Sequence, residues 1–356
     1  MATSHFASLT QDYPWISPST PLITSAPMRL ISTVPLTLAV SRAGGIGFLG
    51  GGTDVSNLSS LLHEATQFLS SSPIPNVPEK ILPIGVGVIV WGASLPSTIS
   101  AIQNSKLKPA AVWLFAPENS TDLVTWSTEV RKASNNLTKI WIQVGTVQSA
   151  FEAARTCNPD VLVVQGSDAG GHGLVQSSSI ISFLPEVYDV LKAQGYGHIP
   201  LVAAGGIVDG RGTAAAVILG ASGISMGTRF LASTEAEISN GYQNAVLHAS
   251  DGGVSTKRST VYDRLRGTTG WPSTYDGRGI LNDSFFDEQN GMNEAENRRL
   301  YEEAVKKGDL GWGKDGKGAR MTTYAGTGVG LIREVRRAGE IVNEVAEEAQ
   351  KFLSRS

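Results

Sequence analysis

Residues 200–230 read PLVAAGGIVDGRGTAAAVILGASGISMGTRF and contain a complete β-α-β unit. An apolar strand at 200–204 runs into two glycines, a helical segment follows at 210–219, and a second apolar strand at 223–227 ends in another glycine. Both strands are apolar at nearly every position, which is typical of parallel strands that are buried on both faces. The stretch therefore indicates an α/β protein with a parallel sheet.

The same alternation extends over the central two-thirds of the chain. We predict further strands at 22–27, 46–50, 83–90, 110–116, 139–144 and 161–165. Helical patterns lie between the strands at 35–43, 53–69, 96–104, 147–156 and 180–194. Eight β-α units in roughly 230 residues match the size of a (β/α)₈ TIM barrel. A doubly wound open sheet is the alternative, but no Gly-x-Gly-x-x-Gly fingerprint follows the first strand.

The character of the sequence changes after the eighth strand. Residues 250–330 are rich in Gly, Asp, Asn, Arg and Thr, and they predict long loops with one charged helix near 292–307. Residues 329–353 carry apolar side chains at helical spacing and predict a closing amphipathic helix. We therefore expect a barrel at 20–250 and a C-terminal loop-and-helix extension at 251–356. The extension should pack on the barrel and close its mouth rather than form an independent domain.

Composition argues against several classes of partner. The formal net charge of −3 gives no electrostatic reason to expect binding to nucleic acid or to an anionic membrane. The single cysteine, Cys157, excludes an internal disulfide framework and a multi-cysteine metal site. The apolar stretch at 81–95 is too short to span a bilayer, and residues 1–13 lack the features of a signal peptide. A soluble cytoplasmic protein is expected, and its oligomeric state stays open.

Glycines follow both of the last two predicted strands. Gly205 and Gly206 come after the seventh strand, and Gly227 and Thr228 come after the eighth. Backbone N–H groups that glycine exposes beside a helix N-terminus form an anion-binding nest. In TIM barrels a phosphate commonly binds after strands seven and eight. A single glycine pair could be only a tight turn, but two at adjacent strand ends favour a phosphate site.

The sixth strand runs into Gln-Gly-Ser-Asp-Ala-Gly-Gly-His at 165–172. The strand delivers Gln165 to the carboxyl-terminal end of the barrel, and Gly170 and Gly171 let the chain pass close to a planar ligand. His172 follows at once, and imidazole can accept or donate a proton near neutral pH. The other four histidines are predicted at places away from a strand's carboxyl end. His172 is therefore the candidate catalytic residue.

Other segments are expected at the same mouth. Pro27 and Met28 follow the first strand, and Gln143, at the end of the fifth, could form a hydrogen bond with a heteroaromatic ring. The glycine-rich segment 324–330 could cover the mouth or simply begin the last helix.

Five segments resemble, in order, the nitronate monooxygenases, a family formerly called 2-nitropropane dioxygenases. The segments that carry the resemblance are 27–47, 165–172, 203–207, 226–230 and 325–332. The likeness implies a barrel that binds FMN, with His172 as the base and Gln165 as a flavin contact. It implies oxidation of a small-molecule substrate, a nitronate or nitroalkane, by dioxygen. The expected cofactor-binding residues are Pro27, Met28, Gln143, Gln165, Gly170, Gly171, Gly205, Gly206, Ser225, Met226, Gly227 and Thr228.

Two positions depart from the family pattern. The acidic residue before Ala-Gly-Gly-His is usually Glu and is Asp168 here. The third strand of the family usually reads Gly-Val-Asn, with the asparagine touching the flavin, whereas this chain has Gly87 at the last position. The effect of Gly87 on flavin tuning and substrate is open.

Alternative functions share the predicted fold. A flavin-dependent enoyl-thioester reductase resembles the same motifs and would need NAD(P)H. A flavin-free barrel that binds a phosphate ligand, as an isomerase, a lyase or a binding protein, is the second alternative. A thiol mechanism like that of IMP dehydrogenase is disfavoured, because Cys157 precedes strand six and belongs to the opposite face of the barrel.

Overall fold

The computed structural model describes residues 9–313 and 317–354. The strands from the amino terminus to residue 226 are β1 (Leu22–Ser25), β2 (Gly47–Gly52), β3 (Ile81–Ile89), β4 (Lys108–Phe115), β5 (Lys139–Val144), β6 (Val161–Gln165), β7 (Gly171–Leu174), β8 (Leu201–Ala204) and β9 (Gly223–Met226). Eight of them are parallel and form one sheet in the order β1-β9-β8-β6-β5-β4-β3-β2. Strand β7 lies outside the parallel sheet.

The two edges of the sheet meet beside β1. The amide of Ser25 donates to the carbonyl of Ile46 at 3.3 Å, and the amide of Ile46 donates to the carbonyl of Ile23 at 3.2 Å. These bonds join β1 to the residue that precedes β2, while β1 pairs with β9 on its other side. The predicted TIM barrel is therefore confirmed, and the open sheet is wrong.

Helices follow the barrel strands and cover them. They are α1 (Val34–Arg42), α2 (Leu58–Ser71), α3 (Leu95–Asn104), α4 (Ser120–Ala133), α5 (Val147–Cys157), α6 (Ile180–Ala193) and α7 (Gly210–Ile218). Helix α2 begins later than predicted because the Asp54 carboxylate accepts the amide of Ser56 and forms a turn there. Helix α4 is absent from the prediction, since its buried side is short and contains only Trp126, Ser127 and Val130.

Aromatic side chains fill the barrel interior. Phe48 lies 5.1 Å from Trp113 and 4.9 Å from Trp141 between ring centroids, and all three are buried. A Cβ at Gly85 would lie 2.2 Å from the Phe48 ring, so glycine provides the room for it. At the amino-terminal end, the Trp141 indole donates to the Tyr13 hydroxyl at 2.7 Å. Among the described residues, the barrel interior is thus a packed core, as is usual for TIM barrels.

The segment after β9 is more ordered than predicted. It contains α8 (Thr228–Leu231), α9 (Asn240–His248), α10 (Gly252–Ser255), β10 (Thr256–Ser259), α11 (Val261–Arg266), β11 (Tyr275–Ile280), α12 (Asp283–Gln289), α13 (Glu294–Lys306) and α14 (Ala338–Leu353). Strands β10, β11 and β7 form an antiparallel sheet. The prediction of long loops is wrong because β10 and β11 are short and polar, and their pairing with β7 is long-range.

The two helices predicted near the carboxyl end have different outcomes. The charged helix is confirmed as α13, whereas the last helix begins at Ala338 and not at 329. Residues Thr327–Leu331 form a separate 3₁₀ turn, and Ile332 is buried in a different cluster from α14. Helix α14 packs its apolar side on α1 and α7. The division into a barrel and an extension at 250/251 stays a prediction.

Within residues 9–313 and 317–354, no helix combines the length and the apolar character needed to cross a membrane.

Candidate active site

A cavity of ≈ 720 Å³ opens at the carboxyl-terminal end of the barrel. Its wall contains residues from the ends of β1, β3, β5, β6, β8 and β9, together with parts of 263–271 and 321–328. The volume falls in the range of small-molecule and cofactor sites, roughly 300–1,000 Å³. The position is the one at which TIM-barrel enzymes place their active sites.

The predicted site residues converge on this cavity with one exception. The cavity wall includes Pro27, Met28, Gln143, Gln165, Gly170, Gly171, His172, Gly205, Gly206, Ser225, Gly227 and Thr228. The Met226 side chain is instead buried in the core and is 0% exposed. Successive residues of a strand point to opposite sides, so Ser225 takes the cavity side of β9 and Met226 does not.

The glycine turns after β8 and β9 shape one end of the cavity. Gly205 and Gly206 have φ values of 105° and 75°, a left-handed conformation that glycine adopts without strain. A Cβ on Gly227 would have only ordinary contacts, 3.6 Å from Ala26 and 3.7 Å from the Met28 sulfur, so it would take space from the cavity. The turns are therefore compatible with a group that approaches the backbone closely.

The glycine-rich segment 324–330 covers this end of the cavity. The amide of Gly326 donates to the Thr228 hydroxyl at 2.9 Å, and the amide of Thr327 donates to the Asp168 carbonyl at 3.0 Å. The Thr327 hydroxyl also donates to the Asp168 carboxylate at 3.2 Å. Of the two sequence alternatives, covering the mouth is confirmed, and starting the last helix is wrong. Asp168 therefore holds the segment 324–330 in place. Its side chain is one methylene shorter than that of the glutamate that the family usually has at this position.

Two cavity-lining residues, Ser225 and Trp91, each have a buried polar atom without a hydrogen-bond partner among the described residues. The Ser225 hydroxyl oxygen is buried and has no hydrogen-bond partner among the described residues. Buried hydroxyl groups are normally paired, and the cost of leaving one unpaired is roughly 1–3 kcal/mol. Because Ser225 lies between the two glycine turns in sequence and on the cavity wall, a polar ligand group there would satisfy it.

Hydrogen bonds within the protein determine which amide atoms of Gln143 and Gln165 remain free for a ligand. The Trp113 indole N–H donates to Gln143 Oε1 at 2.9 Å, which leaves the Gln143 amide hydrogens for a ligand. Gln165 Nε2 donates to the carbonyl of His172 at 3.1 Å, which leaves Gln165 Oε1 as an acceptor. The wall thus offers a donor from one strand end and an acceptor from the next, as the edge of a heteroaromatic ring requires.

The backbone at Gly87 is in close contact with Pro27. A Cβ on Gly87 would lie 2.1 Å from the Pro27 Cβ and 2.3 Å from its Cγ. Pro27 therefore occupies the space into which an asparagine side chain would enter. In the present backbone arrangement, Pro27 leaves no room for a side chain at position 87.

His172 lies on β7 rather than simply at the end of β6. It pairs with Gly277 of β11, so the antiparallel sheet holds it over the barrel mouth. Its Nε2 lies 3.0 Å and 2.9 Å from the two carboxylate oxygens of Asp263. The Trp271 ring stacks on the imidazole with a centroid distance of 3.7 Å and an interplanar angle of 6°. Both the edge and one face of the imidazole are therefore fixed.

Asp263 is the centre of a hydrogen-bond network. The hydroxyls of Tyr324 and Thr268 each donate to Oδ1 at 2.9 Å. Burial by itself would raise the pKa of the Asp263 carboxyl. The hydrogen bond and the charge of His172, together with the hydrogen bonds from the Tyr324 and Thr268 hydroxyls, outweigh burial and hold the pKa below its ordinary value. Burial and the nearby Asp263 charge raise the pKa of Tyr324 well above 10. Asp263 is thus an anion, and Tyr324 is a neutral donor, at neutral pH.

The wall around His172 is aromatic, and Arg266 lies at its rim. Trp271 lies 5.5 Å from Trp91 and 6.0 Å from Phe115 between ring centroids. The Arg266 guanidinium lies 5.7 Å from the centre of the Tyr324 ring and lines the cavity. No ion pair of Arg266 occurs among the described residues. The combination suits a small anion with an apolar part.

Sequence reasoning missed Asp263, Trp271 and Tyr324 as site residues. Asp263 and Trp271 belong to the segment predicted as long loops, and Tyr324 belongs to the glycine-rich segment 324–330, for which the sequence predicts no side-chain role. The proximity of Asp263 to His172 depends on the pairing of β7 with β11, which leaves no local pattern. The sequence shows that segment 250–330 contains aromatic and acidic residues, but it does not show which of them reach the cavity.

Comparison with known proteins identifies relatives along nearly the whole chain. The family whose description is nitronate monooxygenase matches residues 120–348. The nitronate monooxygenase npaC of Metarhizium robertsii is 45% identical, over 98% of this chain and 95% of the relative. A nitronate monooxygenase of Neurospora crassa is 38% identical, over 98% of this chain and 94% of the relative.

Solved structures share the fold at lower identity. FabK from Thermotoga maritima superposes with a TM-score of 0.71 at 23% identity, covering 98% of this chain and 97% of that chain. Nitroalkane oxidase from Streptomyces ansochromogenes superposes with a TM-score of 0.68 at 21% identity, covering 98% and 99%. At these identities the two structures establish the barrel architecture alone.

Proposed function

The chain belongs to the nitronate monooxygenase family, and we propose that it catalyses FMN-dependent oxidation of nitronates and nitroalkanes by dioxygen, with His172 as the base. Membership in the family makes the chain a flavin-dependent oxidoreductase. The observation that carries the finer proposal is that an imidazole paired with a buried carboxylate shares one cavity with two glycine turns and the unpartnered Ser225 hydroxyl.

The residues present fit FMN. Gly205, Gly206, Gly227 and Thr228 would hold the phosphate, because glycine turns at adjacent strand ends favour an anion. The Thr228 hydroxyl accepts from Gly326, so its own hydrogen remains available to a phosphate oxygen. The Ser225 hydroxyl would gain its missing partner there. The Gln143 amide and the Gln165 oxygen would meet the polar edge of the ring system. Bound FMN supplies the redox chemistry, which is the transfer of electrons from the substrate to dioxygen.

His172 would manage the substrate proton. The carbon beside a nitro group is acidic, and a neutral imidazole at hydrogen-bond distance can remove its proton. Asp263 stabilises the imidazolium that results, because it is an anion 2.9 Å from Nε2. A nitronate supplied as such has already lost that proton, so it needs His172 only for orientation and charge. Neutral nitroalkanes should therefore depend on His172 far more than nitronates do.

The aromatic wall and Arg266 would select the substrate. Trp271, Trp91 and Phe115 give an apolar surface for the alkyl part of a small molecule. The Arg266 guanidinium at the rim attracts an anion such as a nitronate.

A direct test begins with the protein as purified. Its absorption spectrum should show a bound flavin, and the flavin released by heating the protein should be FMN rather than a larger flavin. A nitronate added in air should cause oxygen consumption with release of nitrite. A flavin that is present together with no oxygen consumption on any nitronate or nitroalkane would contradict the proposed reaction.

The fold shared with FabK keeps one alternative in the test. An enoyl-thioester reductase of this architecture would be reduced by NAD(P)H. Anaerobic mixing with NAD(P)H should leave the flavin absorbance of this protein unchanged over the time of a nitronate turnover. Rapid bleaching would favour the reductase. The flavin-free barrel considered from the sequence does not agree with membership in a flavin-dependent family.

A further inference from the structure

The contacts of His172 determine which of its nitrogens can act as the base. Nε2 lies 3.0 Å and 2.9 Å from the oxygens of Asp263, and the side chains of the pair are only 13% and 7% exposed. An ionised carboxylate can only accept hydrogen bonds, so Nε2 must carry a hydrogen. In a neutral imidazole the other nitrogen, Nδ1, is then unprotonated.

We propose that Asp263 is a positioning residue that fixes His172 as its Nε2–H tautomer, so that Nδ1 is the atom that takes the substrate proton. This inference rests on the proposed function, since it names the reacting atom of the proposed base. Asp263 itself touches neither the cofactor nor the reacting carbon in this account.

The surroundings of the pair support a fixed ring orientation. The stacked Trp271 ring prevents the imidazole from tilting, and the antiparallel pairing of β7 with β11 fixes the backbone of His172. Tyr324 and Thr268 hold the carboxylate from the other side. No described residue lies within hydrogen-bond distance of Nδ1. Each hydrogen-bonding atom of the pair except Nδ1 is therefore engaged within the protein.

The proton transfer balances within these groups. The C–H bond beside the nitro group breaks, its electron pair stays on the substrate as the nitronate, and the proton forms a bond to Nδ1. The imidazolium then donates through Nε2 to Asp263, which remains a carboxylate throughout, as in other His–Asp pairs. The indole face of Trp271 also favours the cation. Release of the Nδ1 proton to water at the mouth restores the base.

The tautomer can be measured without substrate. Nitrogen-15 NMR of the flavin-bound protein with labelled histidine, compared with His172→Asn, identifies the two ring nitrogens of His172. At a pH where the imidazole is neutral, the expected spectrum has a protonated Nε2 and an unprotonated Nδ1. An Asp263→Asn variant, whose amide can donate to Nε2, should show the Nδ1–H form. A wild-type spectrum with Nδ1 protonated and Nε2 free would overturn the inference.

Steady-state kinetics provide a second test of the role of Asp263. Asp263→Asn should lower kcat/KM on a neutral nitroalkane by about 10²- to 10⁴-fold, the usual range for loss of a general base, and lower kcat/KM on a preformed nitronate by less than about tenfold. Asp263→Glu should restore part of the nitroalkane rate if the asparagine variant folds poorly. Equal losses on both substrates, with the tautomer unchanged, would contradict the role.

Asp160 provides a matched control for the Asp263 variants. Asp160→Asn makes the same chemical change in a partly buried ion pair with Arg131 at the other end of the barrel, and both rates should stay within about twofold of wild type. If the wild-type protein had the Nε2–H tautomer but oxidised no nitro compound, the proposed function would fail while the tautomer assignment stood. If it oxidised nitronates with the opposite tautomer, only this inference would fail.

Discussion

Gly170 and Gly326 approach each other so closely that a Cβ on Gly170 would lie 2.4 Å from the backbone nitrogen of Gly326. The turn after β6 and the cover segment 324–330 are therefore in direct backbone contact beside the glycine turn at 205–206. This contact links the histidine-bearing segment to the proposed phosphate site, and it gives a first prediction.

Gly170→Ala should displace the cover segment and weaken flavin binding. Backbone atoms cannot move aside as the end of a side chain can, so we expect a loss of roughly 1–3 kcal/mol in the free energy of unfolding. The midpoint of thermal unfolding and the flavin dissociation constant measure the two effects. Gly253→Ala is the matched control, because a Cβ there has its nearest neighbour at 3.9 Å. Unchanged flavin affinity in Gly170→Ala would show that the cover does not support the cofactor.

Gly87→Asn should not create the family's flavin contact in this chain. The new side chain would collide with the Pro27 ring, and we expect a destabilisation of about 1–3 kcal/mol from overpacking. Removing the obstacle in a Gly87→Asn, Pro27→Gly double variant should recover part of that loss. Denaturant unfolding of the two variants measures it. A single variant as stable as wild type would mean that Pro27 moves freely.

Arg266→Gln should weaken binding of anionic substrates. The guanidinium is exposed at the rim, where one charge contributes roughly 0–1 kcal/mol, so KM for a nitronate should rise up to about fivefold. The salt dependence of kcat/KM should decrease as well, because part of the attraction is screened. Arg298→Gln is a control, since Arg298 lies on α13 and pairs with Glu294 away from the cavity. A KM and a salt dependence equal to those of wild type would remove Arg266 from substrate attraction.

Alkaline pH should destabilise the protein through its buried tyrosines. Burial raises the pKa of Tyr242 and of Tyr275 to about 12 from 10. Below pH 10 both states keep these protons, so the stabilisation is complete there. As pH rises from 10 to 12, the unfolded chain ionises first and stability falls.

Tyr275→Phe should make that fall less steep. The variant removes one group whose ionisation favours unfolding, and the difference from wild type should reach on the order of 1 kcal/mol by pH 12. Urea unfolding at pH 9, 10, 11 and 12 measures it. Parallel stability curves for the variant and wild type would show that Tyr275 ionises as easily in the folded as in the unfolded protein.

The sequence was sufficient for the barrel because each strand carries its own local signal. Residues 201–204 and 223–226 are mostly apolar, are followed by glycine and are separated by one helix. These local properties indicate a β-α-β unit without any knowledge of contacts between distant segments. The same locality identified His172 and the two glycine turns. Met226 was placed in the site only by family motif, and strand alternation places its side chain in the core.

The remainder of the site depends on contacts between distant segments. Asp263 is 91 residues from His172, and the two meet only because β7 pairs with β11. Strands such as Thr256–Ser259 have too few apolar residues to show a period of two. The close contact between Gly87 and Pro27 is likewise a property of packing between β3 and the end of β1, which a single sequence does not display.

The role of His172 as the base is tested by comparing His172→Asn with wild type on a neutral nitroalkane and on its nitronate in the same buffer. The variant should retain its flavin, lose at least about 10²-fold in kcat/KM on a neutral nitroalkane, and lose far less on the corresponding nitronate. Flavin content is read from the absorption spectrum and turnover from oxygen consumption. A flavin-loaded His172→Asn protein that oxidises the nitroalkane at the wild-type rate would show that His172 is not the base.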